Sequence, residues 1–236
     1  MIRLMTFLLL AATAAAALPA DFAAACVNFH TENPKGWSFT QTTVAEGRSL
    51  TERCEAGRPE FSRWSLLAQD GRTPTAEEIT DYNEKRSRRS RGGTAPHIAS
   101  QLDLASAELI SESTDESVYR FRVKREARSD KTAEFLRATL TFHRPSSTIT
   151  VFELANIAPF SPVWGVRVTE MRTTIHYHLP TPDRPALLDK ITTRTKGRAY
   201  FKSLNAEMLV TFNDYASAVR RSTLSAAVGE AQSKVH

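Results

Sequence analysis

The chain has 236 residues, 41% of them hydrophobic, with 31 Lys and Arg against 26 Asp and Glu and a pI near 9.4. That hydrophobic content supports a sizeable packed core and excludes a disordered chain. The modest basic excess points to anionic partners such as lipid headgroups or envelope polymers.

The chain opens with Arg3 and an apolar run over 4–17, followed by small residues. The run is too short for a membrane span, which needs roughly 20 apolar residues, and has the layout of a secretory signal peptide. Residues 1–25 are assigned to that leader, 26–215 to a single domain and 216–236 to a polar tail. The small-x-small rule is met at both 15–17 and 23–25, which leaves two cutting positions. Export to the periplasm places Cys26 and Cys54, the only cysteines, where two thiols normally pair as a disulfide. The alternative is cleavage after Ala25 and lipidation of Cys26. Compartment, not charge, argues against nucleic acid.

Residues 37–44, rich in Thr and aromatics, read as a first strand. The Gly- and Pro-punctuated stretch around Cys54 reads as loop, and 64–68 as a second strand closed by Asp70-Gly71. Thr75 and Glu78 form a capping box. It opens a helix through Tyr82 toward Arg89, acidic at its start and basic at its end. Lys85, Arg86, Arg88, Arg89 and Arg91 crowd that end. They are a candidate patch for an anionic partner, against the plainer reading of a solvated helix end.

From Ala105 onward the period is two. Leu109 and Ile110 lie in a strand, 114–116 turn, and 117–125 return with Tyr119, Phe121 and Val123 alternating with Arg120, Arg122 and Lys124. Residues 136–143 and 149–157 repeat the pattern around a turn at 145–147. A Pro-broken stretch over 158–164 interrupts, and 166–179, 187–196, 198–204 and 208–215 complete an antiparallel meander.

The segments Arg58-Pro59, 63–67 and 70–78 with their Tyr-bearing basic helix resemble exported bacterial proteins similar to the LolA-like periplasmic lipoprotein carriers and sorting proteins. So do Phe160-Ser161-Pro162 and 210–215. The resemblance implies a mainly β fold: a strongly curved antiparallel sheet, an incomplete barrel, with one or two covering helices and a concavity that shelters acyl chains. No ligand-contact motif of that group is matched residue by residue. Only the Thr75 helix and a segment over 98–104 offer themselves as a lid.

Chemistry-bearing motifs are sparse. His176 and His178 share a strand face, with His143 or Glu170 as a possible third zinc ligand, but the spacing equally suits the polar face of a strand. There is no G-x-S-x-G, C-x-x-C, H-E-x-x-H or phosphate loop, so no catalytic residue and no cofactor is assigned. Trp64, Phe121, Phe142, Phe160, Trp164, Met171 and Tyr177 fall on or near apolar faces. Each alone reads as core; together they are the candidate lining of an apolar ligand pocket. Residues 160–164 are expected at its rim, because prolines bar them from the ladder. The expected function is non-enzymatic: a periplasmic carrier of a lipid or lipidated ligand, not integral to the membrane. The alternative is an envelope adaptor or structural protein whose basic surface docks anionic polymer or a protein partner.

Overall fold

The computed structural model describes residues 18–89, 98–125 and 131–218. The apolar run 4–17, Arg91 and nearly all of the tail lie outside the described residues, as do the side chains of Arg88 and Arg89. Ten strands form one antiparallel sheet. They are β1 (Trp37–Ala45), β2 (Arg48–Cys54), β3 (Trp64–Gln69), β4 (Leu102–Glu112), β5 (Glu116–Val123), β6 (Leu136–His143), β7 (Thr148–Asn156), β8 (Val166–His178), β9 (Leu187–Ala199) and β10 (Lys202–Ser217).

The order is β3-β2-β1-β10-β9-β8-β7-β6-β5-β4. Strands β4 to β10 are the expected meander, whereas β1 to β3 join it through β1, whose Trp37 lies opposite Ser217. The sheet does not close, so β3 and β4 are free edges. It is the mainly β, open half-barrel expected, covered by α1 (Ala20–Asn28) and α2 (Ala76–Arg89), with a single turn α3 (Ile98–Gln101) leading into β4.

Alternation sets which face is inside. In β5, Ser117, Tyr119 and Phe121 are buried while Arg120 and Arg122 are exposed; in β6, Ala138, Leu140 and Phe142 point inward. A one-residue slip would exchange the two sets, so the register is tightly specified. The capping box at the start of α2 is reciprocal: the Thr75 amide donates to Glu78 Oε2 at 2.8 Å, and the Glu78 amide donates to Thr75 Oγ1 at 3.3 Å.

Three expectations are corrected. Residues 48–54 are strand, not loop; the inward positions are Leu50, Glu52 and Cys54, and a carboxylate at the middle one hides the period-two signal. The break placed at Gly197 does not exist, for β9 runs through it. There a Cβ would lie 2.1 Å from the Arg167 carbonyl oxygen, so the residue is small because two backbones touch. The chain turns instead at Tyr200-Phe201, with Ala199 opposite Lys202.

The third correction concerns sulfur. Cys26 and Cys54 are both free and buried, and no disulfide joins them. One sits on α1 and the other ends β2, each as a small apolar side chain within the same core. Burial pushes the Cys26 thiol up to about 12. Burial raises Cys54 as well, against the lowering effect of Arg63, Arg86 and Arg53. Since the thiolate is the reactive form, a thiol-reagent titration without reductant should find two thiols per chain after unfolding and almost none in the native protein. An unfolded count of zero would restore the bridge.

Candidate ligand site on the concave face

An unclosed curved sheet presents an apolar bowl that must be filled or wetted. Here α1 fills it. Phe22 is fully buried, stacked on Tyr119 at 4.4 Å between ring centroids and tilted against Phe142 at 5.1 Å and Phe121 at 6.1 Å. One turn further, Cys26 is buried, and Phe29 just past the helix end meets Tyr177 edge-on at 5.2 Å and Phe152 at 6.1 Å. The sequence reading assigned 20–25 to the leader and so missed Phe22. The aromatic at the centre of an Ala-rich stretch was the available signal.

What holds α1 in place is unusual. Its N-terminus has no side-chain cap. Its side-chain hydrogen bonds are internal, from Asn28 Nδ2 to the Ala24 carbonyl and from the Phe22 amide to Asp21 Oδ1. Among the described residues no hydrogen bond or ion pair ties α1 to the sheet, so apolar packing alone retains it. The following segment is anchored differently: Tyr177 donates to the His30 carbonyl at 3.1 Å, while Asn33 Oδ1 accepts from the Leu188 amide at 3.2 Å and from Tyr215 at 2.8 Å.

Beside α1 lies a cleft of about 440 Å³. Ala24, Ala25 and Phe29 form one wall and Ile149, Tyr177 and Pro185 the other, with Asp21, His30 and Glu32 near its mouth. That volume falls within the range of sites for small apolar ligands, roughly 300–1,000 Å³.

A second cluster fills the bowl beneath α2. Glu52 is buried on β2 yet accepts from Tyr82 at 2.8 Å and from Gln41 Nε2 at 3.3 Å, with Arg86 Nη1 at 3.6 Å. The Arg86 guanidinium also lies 3.9 Å from the centre of the Trp64 ring. Burial and the neighbouring Glu52 carboxylate raise the Tyr82 hydroxyl far above its ordinary value. This cluster docks the helix: a buried carboxylate needs partners, and α2 supplies two of them.

The candidate residues therefore part company. Phe121, Phe142 and Tyr177 converge on α1, and Trp64 joins the same core at the β3 side through an edge contact with Phe39 at 5.5 Å. Phe160 is buried elsewhere, stacked on Phe135 at 5.9 Å and joined to Val168 by one isolated bridge, so the Pro-broken stretch stays outside the strands as expected. Met171 is half-buried on β8, its amide bonded to Asn156 Oδ1 at 2.6 Å. Trp164 is 87% exposed and lies far out on a loop. Of the basic cluster, Lys85 is exposed but Arg86 turns inward. His178 lies 3.5 Å from Asp189, and among the described residues no three candidate metal ligands gather.

Comparisons add no relative: no protein family matches the chain, and neither a search of curated proteins nor one of solved structures finds a similar protein.

Two measurements check this geometry. Arg86→Ala strips Trp64 of its cation and Glu52 of its nearest positive charge, which should cost about 1–3 kcal/mol in chemical denaturation. A neutral result would mean that α2 is held by other contacts. The second concerns Glu78, whose carboxyl is held down from 4.5 to about 2 by its pair with Arg72 and then by the Thr75 amide. A depressed folded value means the stabilisation is full above about pH 4.5 and lost as pH falls toward about 2. Amide exchange at the start of α2 should therefore accelerate across that window, and Glu78→Gln should abolish the step.

Proposed function

We propose that this chain is a non-enzymatic, exported binding protein that takes an acyl chain, a lipid or a lipidated ligand into its concave face, in the manner of the LolA-like carriers it resembles. One observation carries the reading. Toward β7 the bowl is filled by a short helix that, among the described residues, only apolar packing ties to the sheet, beside an apolar cleft. Contacts of that kind are non-directional, so a hydrocarbon chain can replace Phe22, Cys26 and Phe29 without leaving a buried polar group unpaired. Ala24 and Ala25 keep the cleft open where larger residues would close it.

Export adds a constraint. Cutting after Ala25 would remove Phe22 from the core, whereas cutting after Ala17 leaves all of α1 on the mature chain. The reading therefore expects a mature protein beginning at Leu18, with Cys26 unlipidated in the core. The inward turn of Arg86 takes one cation from the patch that the adaptor alternative needs, and favours the carrier.

Native mass spectrometry of protein purified gently from a bacterial periplasm, followed by organic extraction, tests this. The expected spectrum shows a chain starting at Leu18 with an adduct of lipid mass. Two variants make the outcome decisive in a parinaric acid binding assay. Phe22→Ala should cost about 3–5 kcal/mol of stability yet tighten binding of the probe, because the vacated volume is apolar. Ala24→Trp should fill the cleft and weaken binding with little loss of stability. An apo mass together with no response from either variant would leave α1 an ordinary core helix and end the carrier reading.

A further inference from the structure

The middle of the sheet reaches beyond its neighbours. Strand β10 meets β1 only from Met208 onward, so 202–207 pair with β9 alone. The β7–β8 pairing stops at Ala155 opposite Arg172, leaving 166–171 of β8 to pair with β9, with the single Phe160–Val168 bridge on the strand's other side. The result is a three-stranded tongue extending about 20 Å past the β1–β2 hairpin, at about 3.4 Å per residue.

Its end is built from large aromatics held in the open. Phe201 is 96% exposed and Tyr200 62%. Trp164 packs edge-on against Tyr200 at 5.8 Å, and the Tyr200 amide donates to the Gly165 carbonyl at 2.6 Å, joining loop and hairpin into one unit. Gly165, at φ +79°, is required there, because a Cβ would lie 2.6 Å from the Tyr200 ring. The turn itself runs against local preference. Two-residue hairpins favour Asn-Gly or similar pairs, yet Tyr200 sits at φ +53°, a region in which a bulky side chain is an outlier. Strain kept at an exposed position is a sign of use rather than of packing.

Charge completes the pattern. Arg167 lies opposite Arg198 on β8 and β9, and Lys202 starts β10. All three are exposed, and none forms an ion pair among the described residues. No Asp or Glu occurs in 157–169 or 197–206. The tongue's carboxylates sit further back, where Glu170 pairs with Lys196 at 3.0 Å and Glu207 with Arg194 at 2.9 Å.

We infer that this tip is a docking point for an anionic lipid surface, with Trp164, Tyr200 and Phe201 entering the headgroup region and Arg167, Arg198 and Lys202 pairing with lipid phosphates. Trp and Tyr favour that interface because their rings are apolar with a polar edge. Unpaired cations behind them are drawn to negative headgroups. The inference is independent of the concave site, and the two are tested separately.

The test is cosedimentation of the protein, in the form cells accumulate, with vesicles of equal parts phosphatidylglycerol and phosphatidylcholine, against phosphatidylcholine alone. The protein should bind the anionic vesicles preferentially and lose binding as salt rises. Trp164→Ala with Phe201→Ala, and separately Arg198→Glu with Lys202→Glu, should each lower partitioning roughly tenfold. Replacing Tyr200-Phe201 by Asn-Gly should weaken vesicle binding while raising the melting temperature, an opposition that a merely structural turn would not produce. Failure to bind anionic vesicles, or undiminished binding by the aromatic variant, overturns the proposal. So does loss of self-association in the aromatic variant without change in vesicle binding, which would make the tip a protein contact.

Discussion

The stacking of Phe22 on Tyr119 is the contact on which the rest of the structure leans. An antiparallel sheet that curves without closing has an inner surface too wide for its own side chains to meet across. Something must stand in the middle. Here it is a helix of nine residues, four of them alanine, in which one phenyl ring and one thiol are the buried side chains. Tyr119, Phe121 and Phe142 come from two adjacent strands and share that ring, which makes the register of β5 on β6 and the seating of α1 a single event.

Polar groups divide the bowl into two regimes. Toward β3 the helix α2 is fastened by directional contacts centred on Glu52, each with a preferred geometry and a cost if broken. Toward β7, among the described residues, the helix α1 meets the sheet by apolar contact alone, which tolerates exchange. The sheet thus has one cover that is locked and another that is merely seated. The proposed carrier function would depend on that difference, because a ligand can compete with apolar packing far more readily than with a buried hydrogen-bonded carboxylate.

Legibility in the sequence followed the strength of period two. β5 and β6 alternate aromatic and basic residues, and their boundaries could be read almost to the residue. β2 could not, because the middle inward position is Glu52, whose partners Tyr82 and Arg86 arrive from a helix about 30 residues later. The hairpin between β9 and β10 was missed for the opposite reason: a glycine stood in the strand and two aromatics in the turn. Gly197 serves a close backbone approach, and Tyr200 is held against its local preference. The pairing of Cys26 with Cys54 was argued from compartment alone, and compartment says nothing about where a helix directs a side chain. Trp164 looked like lining because it is large and apolar, and only tertiary structure shows it standing outside.

The two free edges carry a hazard of their own. An unpaired strand offers a row of backbone donors and acceptors to any passing chain, the first step toward fibrous aggregation. Strand β4 exposes Leu109 and Ile110 on such an edge. Yet its pairing with β5 is interrupted between Asp103 and Glu108 and again between Leu109 and Ser111, so the edge is bent rather than flat. Glu108 and Glu112 also stand along it. A second molecule approaching edge to edge would meet charged Glu–Arg pairs, Glu108 with Arg120 and Glu112 with Arg144, on a strand too irregular to zip, so the half-barrel can stay open without becoming sticky.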